Sequence, residues 1–172
     1  WNGATTLTVT TSDGSLTDTD TVGVTLAAVN DAPVNTVPGM QTTNEDTSKA
    51  ITGLSIADVD AGSGSMTVTL AVTNGMLNVS GGSATISGSG TGTVTLTGTA
   101  AQINGTLGAT VAYVPTANFS GSATLTMTTS DNGNTGAGGT QTDVDTVAIT
   151  VNAVADAPTL AAPTQVYSLE PG

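Results

Sequence analysis

No cysteine and no histidine occur in these 172 residues, and the only basic side chain is Lys49. Without cysteine, neither a disulfide nor a thiolate metal site can form. Without His, Cys or Arg, the usual general bases and nucleophile pairs cannot be assembled, which argues against an enzyme. A single lysine offers no basic patch for phosphate, so nucleic acid and anionic membrane surfaces are excluded as partners. Aromatic residues make up 2% of the chain. That leaves no platform to hold a sugar, and the one catalytic option open to paired aspartates, glycoside hydrolysis, falls with it. No apolar run is long enough to span a bilayer. The chain opens at Trp1 without an initiator methionine or a basic–apolar leader, and we expect it to be a piece of something longer.

What the chain does have is acid. Thirteen acidic residues against one base give a net charge of −12, yet only 8% of residues are charged. Threonine, serine and glycine carry the solubility, and the composition is not that of a charge-swollen disordered chain. The natural partner of such a chain is a cation.

It also has a repeat. Val29-Asn30-Asp31-Ala32-Pro33 returns as Val154-Ala155-Asp156-Ala157-Pro158, a spacing of 156 − 31 = 125 residues. Asp18-Thr19-Asp20-Thr21-Val22 and Asp143-Val144-Asp145-Thr146-Val147 share that offset. Thr6 to Asp13 matches Thr124 to Asp131 at 131 − 13 = 118, so seven residues have been added between Asp131 and Asp143. The added stretch contains Gly136-Ala137-Gly138-Gly139 and reads as a flexible loop. Self-similarity at a fixed period organises everything else. Residues 1–32 are expected to be the last hairpin of a preceding repeat plus its linker, 33–157 one complete repeat, and 158–172 the start of the next.

Within the repeat, short segments alternate apolar and threonine residues between turn signals, the pattern of an antiparallel β-sandwich. Strands are expected at 34–37 and 40–43, broken at Pro38-Gly39, then at 50–56, around Met66, Val68 and Leu70, and at 76–79 after an Asn74-Gly75 turn. Further strands follow near Ala84 and Ile86, at Val94 and Leu96, and at 111–114, 123–130 and 144–151. Ala100 to Ile103 is the one candidate for a helical turn. The core should be aliphatic, with Tyr113 and Phe119 its largest pieces and Trp1 in the position equivalent to Phe119.

Eleven of the acids are aspartates, and nearly all fall in turns and linkers. In a sandwich, the Asp58–Asp60 loop should return beside Asp31 in the linker. The stretch from Asp131 through Asp143 and Asp145 should lie at that same end, and Glu45 and Asp46 should lie at the other, beside Asp156. Each such aspartate also suits a turn for backbone reasons alone. Gathered together, however, close carboxylates repel by about 4 kcal/mol per pair at an effective dielectric near 20, and no arginine is present to neutralise them. Calcium (Ca2+) takes six to eight oxygens from carboxylates, carbonyls and asparagine amides such as Asn30, whereas zinc favours nitrogen and sulfur ligands. Calcium is therefore the expected metal.

The run Asn44-Glu45-Asp46-Thr47, then Ile56-Ala57-Asp58-Val59-Asp60-Ala61-Gly62, then Tyr113-Val114-Pro115-Thr116-Ala117-Asn118-Phe119-Ser120-Gly121, together with Val29-Asn30-Asp31-Ala32-Pro33, resembles the bacterial cadherin-like tandem repeats of giant surface adhesins and repeat-rich exoproteins. The resemblance implies a seven-stranded Greek-key sandwich, head-to-tail stacking on adjacent repeats, calcium at the junctions, and an extracellular or cell-surface location. It matches Asp58 and Asp60 to the Asp-x-Asp of a downstream domain, Asp31 to the linker ligand and Glu45 to the upstream glutamate. The chain departs from it between Gly98 and Ala109, which are neutral where cadherins carry a further Asp-x-Glu. A calcium-stiffened spacer is the function so implied. The other reading is a self-assembling subunit of a filament, sheath or surface layer, in which copies also touch laterally.

Overall fold

A computed structural model describes residues 2–158; Trp1 and residues 159–172, nearly all of the stretch expected to begin a third repeat, lie outside the described residues. Strands β1 (Gly3–Ser12) and β2 (Thr17–Leu26) form a hairpin of their own, exposed along its whole length. The rest of the described chain runs β3 (Val34–Thr36), β4 (Gln41–Asn44), β5 (Lys49–Ala50), β6 (Ser55–Ala57), β7 (Met66–Val72), β8 (Gly75–Ser80), β9 (Thr85–Ser87), β10 (Thr93–Gly98), a helix α1 (Ala100–Leu107), β11 (Thr110–Pro115), β12 (Gly121–Ser130) and β13 (Thr142–Asn152).

These elements build an antiparallel Greek-key β-sandwich. One layer has the strand order β4-β13-β12-β7-β10-β9, and the other has β5-β11-β8 with the short β3-β6 ladder. The exception to antiparallel pairing is β4, which lies parallel to β13, so the start of the domain is stitched to its end. The period-2 pattern explains the layering. Met66, Val68 and Leu70 of β7 and Leu125 and Met127 of β12 point inward and are fully buried, while the threonines between them face outward. Tyr113 is the largest fully buried side chain, and its hydroxyl donates to the Asn74 carbonyl at 2.9 Å. Phe119 packs only at the margin of the core.

Several expectations are revised. The strand expected over 50–56 is two: Ala50 pairs with β11, Ser55–Ala57 pairs with β3, and Ile51 and Leu54 between them fill the core. The chain therefore changes ladders mid-way, and the domain has eleven strands, β3 to β13, instead of seven. The helical turn extends to eight residues. Thr99 accepts from Gln102 N–H while the Gln102 side chain accepts from Thr99 N–H, a reciprocal cap that nucleates it. From this helix Asn104 accepts from Ile56 N–H and donates to Ile56 C=O, both at 2.8 Å, and so stands in for a missing strand beside β6. The edge of β8 is sealed in a related way: Ser89 Oγ accepts from Val79 N–H and donates to Val79 C=O.

The isolated hairpin repeats the domain's last one. Leu7 sits opposite Val22 as Leu125 sits opposite Val147, and Val9 opposite Asp20 as Met127 opposite Asp145. The inward apolar residues of β12–β13 are at most 3% exposed, yet Leu7 is 57% exposed and Val22 53%. The register is thus shared, and only the copy with a sandwich behind it has a core. Leu125→Ala should cost about 2–5 kcal/mol in urea unfolding, whereas Leu7→Ala at the same register position should stay within about 0.5 kcal/mol. Equal losses would mean that the hairpin packs on the domain's core.

Candidate metal centre

The linker between the hairpin and the sandwich, Ala27 to Pro33, delivers Asn30 and Asp31 to the end of the domain. Two loops meet them there. The first follows β6, where Asp58 closes a turn on itself: its Oδ1 accepts from the N–H of Asp60 at 3.1 Å and of Ala61 at 3.0 Å. That turn fixes the spacing of the Asp-x-Asp pair and leaves Val59 between them 84% exposed. Asp60 Oδ2 then accepts from Asp31 N–H at 2.9 Å, joining loop to linker.

The second loop connects β12 to β13. Asp131 at its root is fully buried. Its Oδ1 accepts from Gly133 N–H and Gln141 N–H, both at 2.8 Å, and its Oδ2 from the Asn30 amide. Burial pushes the Asp131 carboxyl up, but these donors outweigh burial and hold it below the usual carboxylate value. Asn30 itself is buried, and its Nδ2 also donates to Gly139 C=O at 2.6 Å. The third contact is at β3. Asp143 Oδ2 accepts from Asn35 N–H at 2.7 Å, while Asn35 and Thr129 satisfy one another inside at 2.5 Å.

Three buried oxygens in this region have no hydrogen-bond partner: Asn30 Oδ1, Asp58 Oδ2 and Asp60 Oδ1. An orphaned buried acceptor costs about 1–3 kcal/mol, and two of these belong to carboxylates side by side. Burial raises the Asp58 pKa, the N–H of Asp60 draws it down, and the neighbouring Asp60 carboxylate raises it further, leaving it above the ordinary aspartate value. The donor set is all hard oxygen and suits a hard cation. No three acids gather closely enough among the described residues to hold a metal by themselves; the third orphaned oxygen is an amide. An open cleft lined by Val29, Asp31, Val59, Asp60 and Thr135 leads to the group.

Of the ten residues marked in the sequence, the structure holds five here in two hydrogen-bonded groups, Asn30 with Asp131 and Asp31 with Asp60 and Asp58, which meet only through the Asn30–Asp31 peptide bond. Asp143 is tied to β3, and Asp145 stands half-buried on the same face of β13, opposite Met127. The remaining three lie at the other end of the eleven-residue β13. Glu45 is buried, its N–H donates to Asn152 C=O at 2.9 Å, and its Oε1 accepts from Val154 N–H at 2.5 Å. Asp46 caps Asn118 N–H at 3.0 Å, and Asp156 is exposed. The run Gly136-Ala137-Gly138-Gly139, read as a flexible loop, is bonded to the linker: Ala137 N–H donates to Ala28 C=O and Asn30 N–H to Ala137 C=O. Its glycines were the available signal, since Gly136, Gly138 and Gly139 all take positive φ.

No family model matches this chain, and no curated protein matches it. Solved structures with a related chain path include the crystal structure of the S-layer protein SbsC domains 4 and 5, 17% identical with a TM-score of 0.39, covering 88% of this chain and 58% of that one. This chain therefore spans little more than half of that structure. Another is the solution structure of CaCohA2 from Clostridium acetobutylicum, 15% identical with a TM-score of 0.43, covering 72% of this chain and 92% of that one.

The two titrating groups predict opposite pH behaviour in cation-free solution. Asp58, held above its unfolded value, stabilises the fold in acid, and that contribution is lost as pH rises through its folded pKa. Asp131, held below, stabilises above the ordinary carboxylate range, and its contribution is lost as pH falls through its folded pKa. With chelator present, Asp58→Asn should be at least as stable as the parent at neutral pH, with the gap closing in acid. Asp131→Asn should be less stable at neutral pH. Denaturant midpoints across pH check both, and a destabilised Asp58→Asn at neutral pH would contradict the account of a carboxylate raised by burial and its neighbour.

Proposed function

We propose that this chain is part of an extracellular, calcium-stiffened spacer: a cadherin-like repeat of a large bacterial surface adhesin that holds a distant binding region away from the cell. The observation that carries this reading is the trio of buried, unpartnered oxygens on Asn30, Asp58 and Asp60, placed where the linker enters the domain. Calcium would be held by those three, with Asp131 and Gly139 taking the Asn30 amide nitrogen and leaving its oxygen free. The ion's chemical contribution is to neutralise a like-charged pair and tie linker to loop.

The shared register of the two hairpins supports the tandem arrangement, with β1–β2 closing a preceding repeat. Glu45 supports it from the other end, since its grip on Val154 would fix the outgoing linker as a preceding repeat would fix Val29. Concentration-independent monomers in sedimentation favour the spacer, and self-association favours the assembly subunit.

Extracellular modules bind calcium with dissociation constants of roughly 0.1–1 mM, and a hundredfold excess over such a constant adds about 2.7 kcal/mol to the fold. Calcium should therefore raise Tm, and combining Asp58→Asn with Asp60→Asn should remove most of the rise. In small-angle scattering of a protein carrying two full repeats, calcium should lengthen and stiffen the particle, and Asp31→Ala should weaken that response. A Tm indifferent to calcium and chelator would show that these aspartates serve only their turns.

A further inference from the structure

The loop between β12 and β13 makes more contact with the linker than a metal site requires. Ala137 N–H donates to Ala28 C=O at 3.0 Å and Asn30 N–H to Ala137 C=O at 2.9 Å, a parallel bridge centred on Val29. Gly139 adds a third bond through its carbonyl to the Asn30 amide. The approach is close enough to dictate residue type. At Gly136, with φ +132°, a Cβ would fall 2.5 Å from Asn30 N and 2.6 Å from the Val29 carbonyl carbon, both backbone atoms. The loop is itself anchored. Asn132 and Asn134 both donate to Ser65 C=O, at 2.9 and 2.8 Å, and Asp131 holds Gly133 and Gln141. It therefore spans from the start of β7 to the linker, pinned at both sides.

The equivalent place in the first hairpin has nothing of the kind. Asp13, the counterpart of Asp131, accepts from Ser15 and Leu16 N–H in a tight turn that ends after Leu16. A turn that short cannot extend to a linker.

We propose that residues 132–141 are a strap that takes the incoming linker as an added strand, so that the orientation of each repeat on its predecessor is set by the length of its own β12–β13 loop. The preceding repeat, with its Asp13–Leu16 turn, then has a looser upstream joint, and an array of such repeats has stiff and soft joints in an order written in loop length. The strap is a protein contact and holds without any ion. Its effect on calcium affinity, in contrast, rests on the function proposed above.

Amide hydrogen exchange on the full chain separates the two. In chelator, Asn30 and Ala137 N–H should be protected in the parent. Gly136→Ala places a side chain at a φ that only glycine adopts easily, so protection at both should fall roughly ten- to hundredfold. Amides of β12 and β13 such as Leu125 and Val147 should keep theirs, which guards against general unfolding. Replacing 132–141 by the Gly14-Ser15-Leu16 turn should free Asn30 likewise. Unprotected Asn30 and Ala137 in the parent, or protection unchanged in Gly136→Ala, overturns the strap. In a parallel calcium titration the same variant should bind about tenfold more weakly by the same strain estimate. If the parent binds no calcium while the exchange pattern holds, the ion reading fails and the strap stands.

Discussion

A carboxylate buried to zero exposure with no cationic partner is among the least favourable groups a fold can contain. Asp131 is such a group, and the upstream end of this domain is arranged around making it tolerable. Two backbone N–H groups from its own loop and one amide from the linker supply the donors that no arginine is there to give. Each donor has a structural consequence. The bonds to Gly133 and Gln141 shape the loop, and the bond to Asn30 recruits the linker and turns its amide oxygen away. Remove the charge, and loop, linker and amide orientation lose their common reference point.

Asp58 and Asp60 present the opposite situation. Their turn bonds hold two carboxylates side by side, with one oxygen of each facing no donor. The fold thus satisfies one acid fully and leaves two facing each other a few bonds away. The same linker touches both arrangements, Asn30 at Asp131 and Asp31 at Asp60. Whatever relieves the second must also act on the linker.

Much of this was legible in the sequence because period and alternation are local. The hairpin registers, the break at Pro38-Gly39, the Asn74-Gly75 turn and the inward rows of β7, β12 and β13 all follow from spacing. Strand order alone brought Asp31 to the Asp58–Asp60 loop. Other features depended on partners far away in the chain. The ladder change between Ala50 and Ser55 reflects competition between β11 and β3, which no local pattern records. Asn104 acting as a strand beside Ile56 joins residues forty-eight positions apart. Gly136 to Gly139 read as flexible because glycine-rich sequences usually are; here positive φ at Gly136 is what lets the backbone close on Val29 and Asn30.

The matching registers of β1–β2 and β12–β13 bear on the folding of a tandem chain. Each hairpin presents the same alternation to strands such as β4 and β7, and a chain built of such repeats risks pairing the wrong copy. Alternation and hydrophobicity cannot tell the two apart. The lengthened loop can, since only the hairpin that bears it also meets Asn30 and Ser65. If the proposed strap forms as the domain folds, it distinguishes one repeat's hairpin from the next.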